Sequence, residues 1–300
     1  MRPGPGAPDR YHELSERDVR QRELSQNLLR GRAAAEEFLD RVDLGPDDLC
    51  VEVGAGDGVI TEPLARMCGE VVAYELDDRL AERLKDRLRN APNVHILVGD
   101  FLDAWPPTVP FQLVGNVPFS ITSAIVDWGL NAEQMMATTI ITQLEYAKKR
   151  TGAYGRWSLV TVSSWPTFRW ELRGVISRTQ FRPVPRVDAG VLHIERRPEL
   201  LISPGSYPRY LRMVELAFGG VGGSVHASLR RLYSTPVLDA AFSAARIDRS
   251  VVVAFVHPDQ WIDLHNALES RGRGSRRDHR DGSSRRQQGG RSGSTRRRRS

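Results

Sequence analysis

Four consecutive residues, Asn116-Val117-Pro118-Phe119, offer the most specific chemistry in this chain. An asparagine and the carbonyl of a proline-stiffened turn supply two hydrogen-bond acceptors beside a flat aromatic ring. That arrangement suits an exocyclic amino group on a planar base: the acceptors take its two N–H bonds while the ring stacks on the base. Taken alone, the same residues describe a turn with a packed phenylalanine, so the weight falls on the elements that hold them. The apolar run Phe111 to Val114 reads as a buried parallel strand, which sets Asn116 at its C-terminal end, the edge where open α/β sheets bind ligands.

A second element lies upstream. Leu49-Cys50-Val51-Glu52-Val53 reads as a strand, Gly54-Ala55-Gly56-Asp57-Gly58 as a glycine turn, and Val59 onward as the start of a helix. Glycines there let the backbone turn tightly and approach a ligand closely. The dinucleotide pattern G-x-G-x-x-G requires a glycine at position 59, where Val59 stands. Glu52 makes the pattern E-x-G-x-G-x-G instead, which resembles that of S-adenosylmethionine (SAM) methyltransferases. The glycine turn by itself leaves dehydrogenase and methyltransferase both open. Glu75, ending Val71-Val72-Ala73-Tyr74, is placed to accept both hydroxyls of a ribose, and an adenosine in either cofactor would use it. A further strand, Val94 to Val98, ends in Gly99-Asp100-Phe101, where a carboxylate can accept from an adenine amino group. Asp100 reads equally as an ordinary helix cap. Four successive strand ends bearing suitable polar groups argue against coincidence.

With these residues in place the chain resembles the erythromycin-resistance (Erm) methylases, ribosomal-RNA adenine N6-methyltransferases. Ser25-Gln26-Asn27-Leu28-Leu29 looks like their SAM-capping segment; Val117 to Val126, Glu145 to Gly152 and Phe181 to Asp188 extend the likeness over about residues 15 to 265. Leu28 stands where an aromatic is common and Val117 where isoleucine is common. The resemblance implies SAM as cofactor, held by Asn27, Leu29, Gly54, Glu75, Leu76, Asp100, Phe101 and Asn116, with Asn116, Val117 and Phe119 acting on the base. Tyr11 and Tyr146 are further candidates for touching the base or RNA, or for packing in the core. It also implies, as substrate, an adenine in the peptidyl-transferase loop of 23S rRNA, and hence macrolide, lincosamide and streptogramin B resistance. Three other readings share parts of this pattern. They are the sister family that dimethylates small-subunit rRNA, a DNA adenine methyltransferase, and a non-catalytic RNA-binding factor that should have lost Asn116, Asp100 or the glycines.

Charge and composition fit a protein that meets RNA. The formal charge of +6 over 300 residues conceals an uneven distribution. Residues 271–300 carry twelve arginines against two aspartates, a local charge of +10, and the rest of the chain sums to −4. Within that acidic body, residues 169–197 hold seven arginines against three acids, a positive stretch suited to RNA phosphates or to a solvated strand face. Cys50 and Cys68 are too few and too scattered for a disulfide framework or zinc site, the histidines lack ligand spacing, and no metal is expected. No uncharged window is long enough to span a bilayer, and the N-terminus lacks a signal-peptide core. A cytoplasmic monomer with no membrane partner is expected.

The expected fold is α/β: a Rossmann-like class I SAM methyltransferase with a mostly parallel seven-stranded sheet, plus a small C-terminal all-α domain. Helices are expected over Ala33–Val42 and Asp78–Leu88, and strands over Thr138–Thr142, Ser158–Ser164 and Val191–Glu195, the alternation of a βαβ architecture. Beyond Pro198, Tyr207–Phe218, Val225–Tyr233, Pro236–Ala245 and Pro258–Ser270 read as helices. The expected organisation is a polar extension at 1–24, the methyltransferase domain at 25–198, a helical RNA-binding or accessory domain at 199–270, and a disordered Arg/Gly-rich tail at 271–300.

Overall fold

The computed structural model describes residues 27–220 and 223–270. The expected N-terminal extension and basic tail, and with them Tyr11, Ser25 and Gln26, lie outside the described residues. Two compact units emerge. One holds the chain up to Tyr154 together with Phe168–Pro198; the other holds Gly155–Thr167 and the chain from Glu199 on.

The first unit is built on a seven-stranded sheet. Its strands are β2 (Leu49–Val53), β3 (Glu70–Glu75), β4 (Val94–Val98), β5 (Phe111–Asn116), β6 (Met135–Gln143), β7 (Phe168–Ile176) and β9 (Ala189–Arg196), in the order β4-β3-β2-β5-β6-β9-β7. The pairs from β4 across to β6 are parallel, and β9 runs antiparallel to both β6 and β7. Central strands such as β5 and β6 are almost continuously apolar and buried, as strands covered on both faces must be. Helices α1 (Gly31–Leu39), α2 (Thr61–Met67), α3 (Asp78–Arg87), α4 (Thr122–Asn131) and α5 (Leu144–Arg150) make that cover. The core gathers Phe38 and Leu39 of α1, Leu64 of α2, Leu84 of α3 and the inward residues of the strands. The chain builds β2, β3 and β4 outward in one direction and then crosses back to lay β5 against the other edge of β2. The strand order therefore reverses between β2 and β5, and the crevice above their carboxyl ends is where such sheets bind ligands. Gly54 and Asn116 stand at those two ends.

Gly115 keeps the crevice in register. A Cβ added there would lie 2.5 Å from the Val53 carbonyl oxygen, a rigid backbone atom of the neighbouring strand. Gly115→Ala is expected to cost about 1–3 kcal/mol of stability through overpacking. Because Asn116 is the next residue, any turnover that depends on it should fall by more than the lost folded fraction. Urea denaturation read beside turnover per folded molecule checks both.

Three details differ from the sequence expectations. Ser158–Ser164 is not a strand: Leu159–Ser164 is helix α6, capped by Ser158, whose Oγ accepts from Thr161 N at 3.3 Å. Its β-branched run favours a strand locally, but burial of Thr161 and Val162 in the helical unit prevails. The strand β7 is absent from those expectations because Arg169, Glu171 and Arg173 mask its alternation. As an edge strand it tolerates them, with Arg169 on Glu195 at 2.5 Å and Arg173 on Asp43 at 2.6 Å. A further two-residue strand, β1 (Leu28–Leu29), pairs antiparallel with β8 (Phe181–Arg182) outside the main sheet.

The second unit is helical: α6, α7 (Tyr207–Phe218), α8 (Val225–Leu229), α9 (Thr235–Ala244) and α10 over 258–270. The excursion Gly155–Thr167 is anchored within it. The Tyr210 hydroxyl donates to the Val162 carbonyl at 2.7 Å, and Trp165 Nε1 donates to Asp259 at 2.7 Å. Among the described residues no helix is long and apolar enough to cross a membrane.

Candidate active site

Two adjoining cavities open at the carboxyl ends of β2, β3 and β5. The first, about 360 Å³ including its open mouth, is lined by Asn27, Leu28, Gly54, Gly56, Glu75 and the stretch Asn116 to Phe119. The second, about 430 Å³, is lined by Val53, Tyr74, Leu76, Gly99, Asp100, Phe101 and Ile121. Gly54, Glu75 and Pro118 border both, so the cavities form one bipartite cleft.

The glycine loop is pinned to the end of β3. Gly54 N and Ala55 N both donate to the Tyr74 carbonyl, at 2.9 and 3.0 Å, and Gly56 N donates to Glu75 Oε2 at 2.7 Å. Gly54 and Gly56 take φ of +72° and +56°, which side-chain-bearing residues rarely adopt. Beneath the loop, Glu75 is 1 % exposed, and its other oxygen accepts from Asp77 N at 2.9 Å. Each carboxylate oxygen keeps a second acceptor position for a ligand hydroxyl.

Asp100 caps the turn, its Oδ1 accepting from Leu102 N at 3.1 Å, and the residue also lines the second cavity. Phe101 is held edge-on by Tyr74, centroids 5.4 Å apart, and against Trp128 at 4.5 Å, so the wall it offers is rigid.

Asn116 is oriented by its own amide. Its Nδ2 donates to the Asn27 carbonyl at 2.6 Å, which turns Oδ1 away from that tether as a free-standing acceptor. Val117 N donates to Ile141 O at 3.3 Å, and Ile121 N donates to the Pro118 carbonyl at 3.1 Å, fixing the turn from both sides. Phe119 lines the first cavity while one part of it packs on the core.

Leu29 sits differently from its neighbour. At 4 % exposed it joins the core, and the leucine that borders the cavity is Leu28. Leu28, Gly56, Tyr74 and Pro118 were not singled out as site residues. Gly56 and Tyr74 stand in the glycine turn and the strand that flagged Gly54 and Glu75, whereas Leu28 depends on pairing with a strand some 150 residues away. The Tyr146 hydroxyl is buried on α5 and borders neither cavity.

Glu52 is an unusual buried acid beneath the cleft. It is 1 % exposed, and neither carboxyl oxygen makes a well-formed hydrogen bond among the described residues. Burial pushes its pKa up to about 8; the nearby Thr61 hydroxyl pulls the other way, and the charges of Glu75 and Asp57 add to the rise. With 4.5 as the ordinary value, the unfolded chain releases this proton between pH 4.5 and 8 while the fold keeps it. The contribution is thus whole below pH 4.5 and erodes by up to about 1.4 kcal/mol per pH unit on the way to 8. His193 runs oppositely: burial holds it at about 4, below its ordinary 6.5, so its contribution is whole above pH 6.5 and is lost toward pH 4. Glu52→Gln should therefore match the wild type near about pH 5 and exceed it by several kcal/mol, on the order of 3, near about pH 9. Urea titrations of both proteins across that range test this; parallel stability profiles would mean that Glu52 is ionised in the fold.

The cleft fits SAM on its own features. Backbone glycines without Cβ atoms floor one cavity, a buried carboxylate faces both, and an apolar slot with one acid at its end accepts an adenine. The acids bordering the cleft, Glu75 and Asp100, complement a cationic ligand.

Comparison with known proteins agrees with this geometry. Residues 18–270 match the family model described as ribosomal RNA adenine dimethylase. The chain is 54 % identical over 249 residues to the rRNA adenine N-6-methyltransferase of Streptomyces fradiae, covering 82 % of this chain and 78 % of that protein. It is 31 % identical over 243 residues to the mycinamicin-resistance protein MyrB of Micromonospora griseorubida, covering 81 % and 77 % respectively. Among solved structures, the 23S rRNA methyltransferase ErmE superposes with a TM-score of 0.78 at 44 % identity, covering 81 % of this chain and all of that one.

Proposed function

The chain belongs to the ribosomal RNA adenine dimethylase family, and from that premise we propose that it methylates N6 of one adenine in the peptidyl-transferase loop of 23S rRNA. It is an rRNA (adenine-N6)-methyltransferase that uses SAM. Methylation at that position would remove a hydrogen-bond donor and add bulk at the macrolide site, the basis of resistance to macrolides, lincosamides and streptogramin B. The likeness to ErmE and to MyrB supports this finer target. The single observation that carries the chemistry is the Asn116 amide anchored on Asn27 beside Phe119, all three lining the first cavity.

Bound SAM supplies the electrophilic methyl group. The residues of the chain do the rest. Glu75 takes the ribose hydroxyls, Asp100 and the backbone at Phe101 take the adenine of the cofactor, and Leu76 with Ile121 closes over it. Asn27, Leu28 and Gly54 hold its other end. A target base swung out of an RNA loop stacks on Phe119. Asn116 Oδ1 and the Val117 carbonyl accept its two amino N–H bonds. That draws the nitrogen lone pair out of conjugation and aims it along the attack line. The amino proton becomes acidic only as the new bond forms, so water suffices to remove it and no histidine, cysteine or lysine is needed.

The protein is read as a monomer acting in the cytoplasm, where its RNA is, on 23S rRNA that is protein-free or in an assembling subunit. The helical unit is read as an accessory RNA-binding element, and the arginines of 271–300 as adding salt-sensitive phosphate contacts. Transfer of labelled methyl from SAM to protein-free large- and small-subunit rRNA, mapped by primer-extension stops, tests the target. One stop at a peptidyl-transferase adenine is the expected result. Label on small-subunit rRNA would move the chain to the sister activity, and no label on either would overturn the substrate assignment.

A further inference from the structure

The strand β1 is short and singly held. Among the described residues its two residues pair with β8 alone, in the register Leu28↔Arg182 and Leu29↔Phe181. Arg30 completes the tie: its N–H donates to the Gln180 carbonyl at 2.7 Å and its Nε to the Phe181 carbonyl at 3.0 Å. On its other side β1 meets the reaction centre directly, because Leu28 and Asn27 line the first cavity and the Asn27 carbonyl holds the Asn116 amide. A two-residue strand with one partner strand among the described residues belongs to the least stable class of element, the class that opens locally ahead of a main sheet.

The other half of this ribbon lies in the most basic stretch of the described chain. β8 sits in the loop 177–188, which carries Arg178, Arg182 and Arg186, all exposed. None of the three enters an ion pair among the described residues. The loop is folded on itself: Arg178 N donates to Asp188 Oδ1 at 2.9 Å, and Arg178 Nη1 reaches the Arg186 carbonyl at 3.5 Å. Three unpaired guanidinium groups on one loop suit phosphate oxygens, which they can grip bidentately. Arg182 is the register partner of Leu28, so a phosphate held there is one strand away from the cofactor cavity and two hydrogen-bonded steps from Asn116.

We infer that the β1–β8 ribbon couples RNA docking to cofactor retention: rRNA phosphates gripped by Arg178, Arg182 and Arg186 fix β8, and through it the strand that closes the SAM cavity. The inference rests on the rRNA methyltransferase reading. Closure by β1 and docking on β8 stabilise the same closed ribbon, so each ligand must tighten the other by an equal factor. Such coupling would keep SAM in place while RNA is bound and let the product cofactor leave once RNA departs.

The test uses the full chain, S-adenosylhomocysteine as a cofactor that cannot react, and a hairpin carrying the peptidyl-transferase loop. S-adenosylhomocysteine affinity is measured by calorimetry with and without saturating hairpin, and hairpin affinity by anisotropy. About tenfold tighter cofactor binding with RNA is expected for the wild type, within the usual range of such couplings. Arg30→Met removes the side-chain tie to Phe181 but not the three loop arginines. It should bring the factor toward one, with hairpin affinity within about threefold of wild type. The triple change Arg178→Ala, Arg182→Ala, Arg186→Ala should weaken hairpin binding and abolish the coupling at saturating hairpin. Equal cofactor affinity with and without bound hairpin in the wild type would overturn the inference, as would full coupling in both variants. Methyl transfer from SAM to the hairpin is followed in parallel. Transfer without coupling sinks this inference alone, whereas absence of transfer from every rRNA substrate removes the reading on which it rests.

Discussion

Asn116→Ala is expected to lower the methyl-transfer rate by on the order of 10²–10³-fold, the usual cost of deleting one preorganised group that acts on the reacting atoms. Its effect on the cofactor should be far smaller. The change also frees the Asn27 carbonyl from its 2.6 Å bond, and one lost bond of this kind costs about 1 kcal/mol, or roughly fivefold in SAM affinity. The two losses are separable because they arise from different atoms. On the proposed mechanism the side-chain oxygen would face the target base and govern kcat, while the side-chain nitrogen, which donates to the Asn27 carbonyl, would govern closure of the cofactor cavity. Asn116→Asp distinguishes them further. It keeps an acceptor toward the base but turns a carboxylate oxygen onto the Asn27 carbonyl, so it should be poorer than alanine in cofactor binding and still slow in turnover. Single-turnover rates at saturating SAM, with SAM affinity from calorimetry, read the two effects apart. Wild-type turnover in Asn116→Ala would end the proposed role of the amide.

Much of this arrangement is legible in the linear sequence because it is assembled from strand ends. A parallel strand announces itself as an apolar run, and the residue that ends it necessarily stands at the ligand-binding edge. Glu75, Asp100 and Asn116 could each be assigned a side of the sheet on that ground, and all three line the cleft. What escaped the sequence depends on partners distant along the chain. Leu28 rather than Leu29 faces the cavity because pairing with Arg182 sets the register, and a one-residue slip would exchange the two. The excursion Gly155–Thr167 reads locally as more β-sheet, yet it is a helix because the Tyr210 hydroxyl and Asp259 of the helical unit hold it. The strand β7 escaped for the converse reason: its charges satisfy each other along an edge, so the alternation that marks a half-buried strand is blurred.

The site also shows how one group serves folding and chemistry together. Glu75 organises the glycine loop, and Asp100 caps a turn while lining the second cavity. A purely structural reading of either residue is correct and incomplete. Such double use means that the chain's own hydrogen bonds shape the cleft, which lowers the cost of ordering on binding.

Glu75→Gln is expected to be almost as damaging as Glu75→Ala, despite its nearly unchanged volume. Both carboxylate oxygens receive backbone N–H groups, from Gly56 at 2.7 Å and from Asp77 at 2.9 Å, at a position 1 % exposed. An amide must turn its NH₂ toward one of those donors, which leaves a buried N–H facing an N–H and costs about 1–3 kcal/mol. On the proposed binding mode the ribose loses one charged acceptor by the same change, so SAM affinity should drop by about 10- to 150-fold, at roughly 1.5–3 kcal/mol for a bond to a charged group. Alanine removes both acceptors and leaves two orphaned donors, and its SAM affinity should fall further. Calorimetric SAM affinity together with urea stability tests this. Saturating SAM should recover most of the chemical rate in Glu75→Gln, because Asn116 and Phe119 are untouched, whereas it should recover little in Asn116→Ala. If Glu75→Gln instead bound SAM normally and lost only turnover, the ribose would be held elsewhere and Glu75 would be a support for the loop alone.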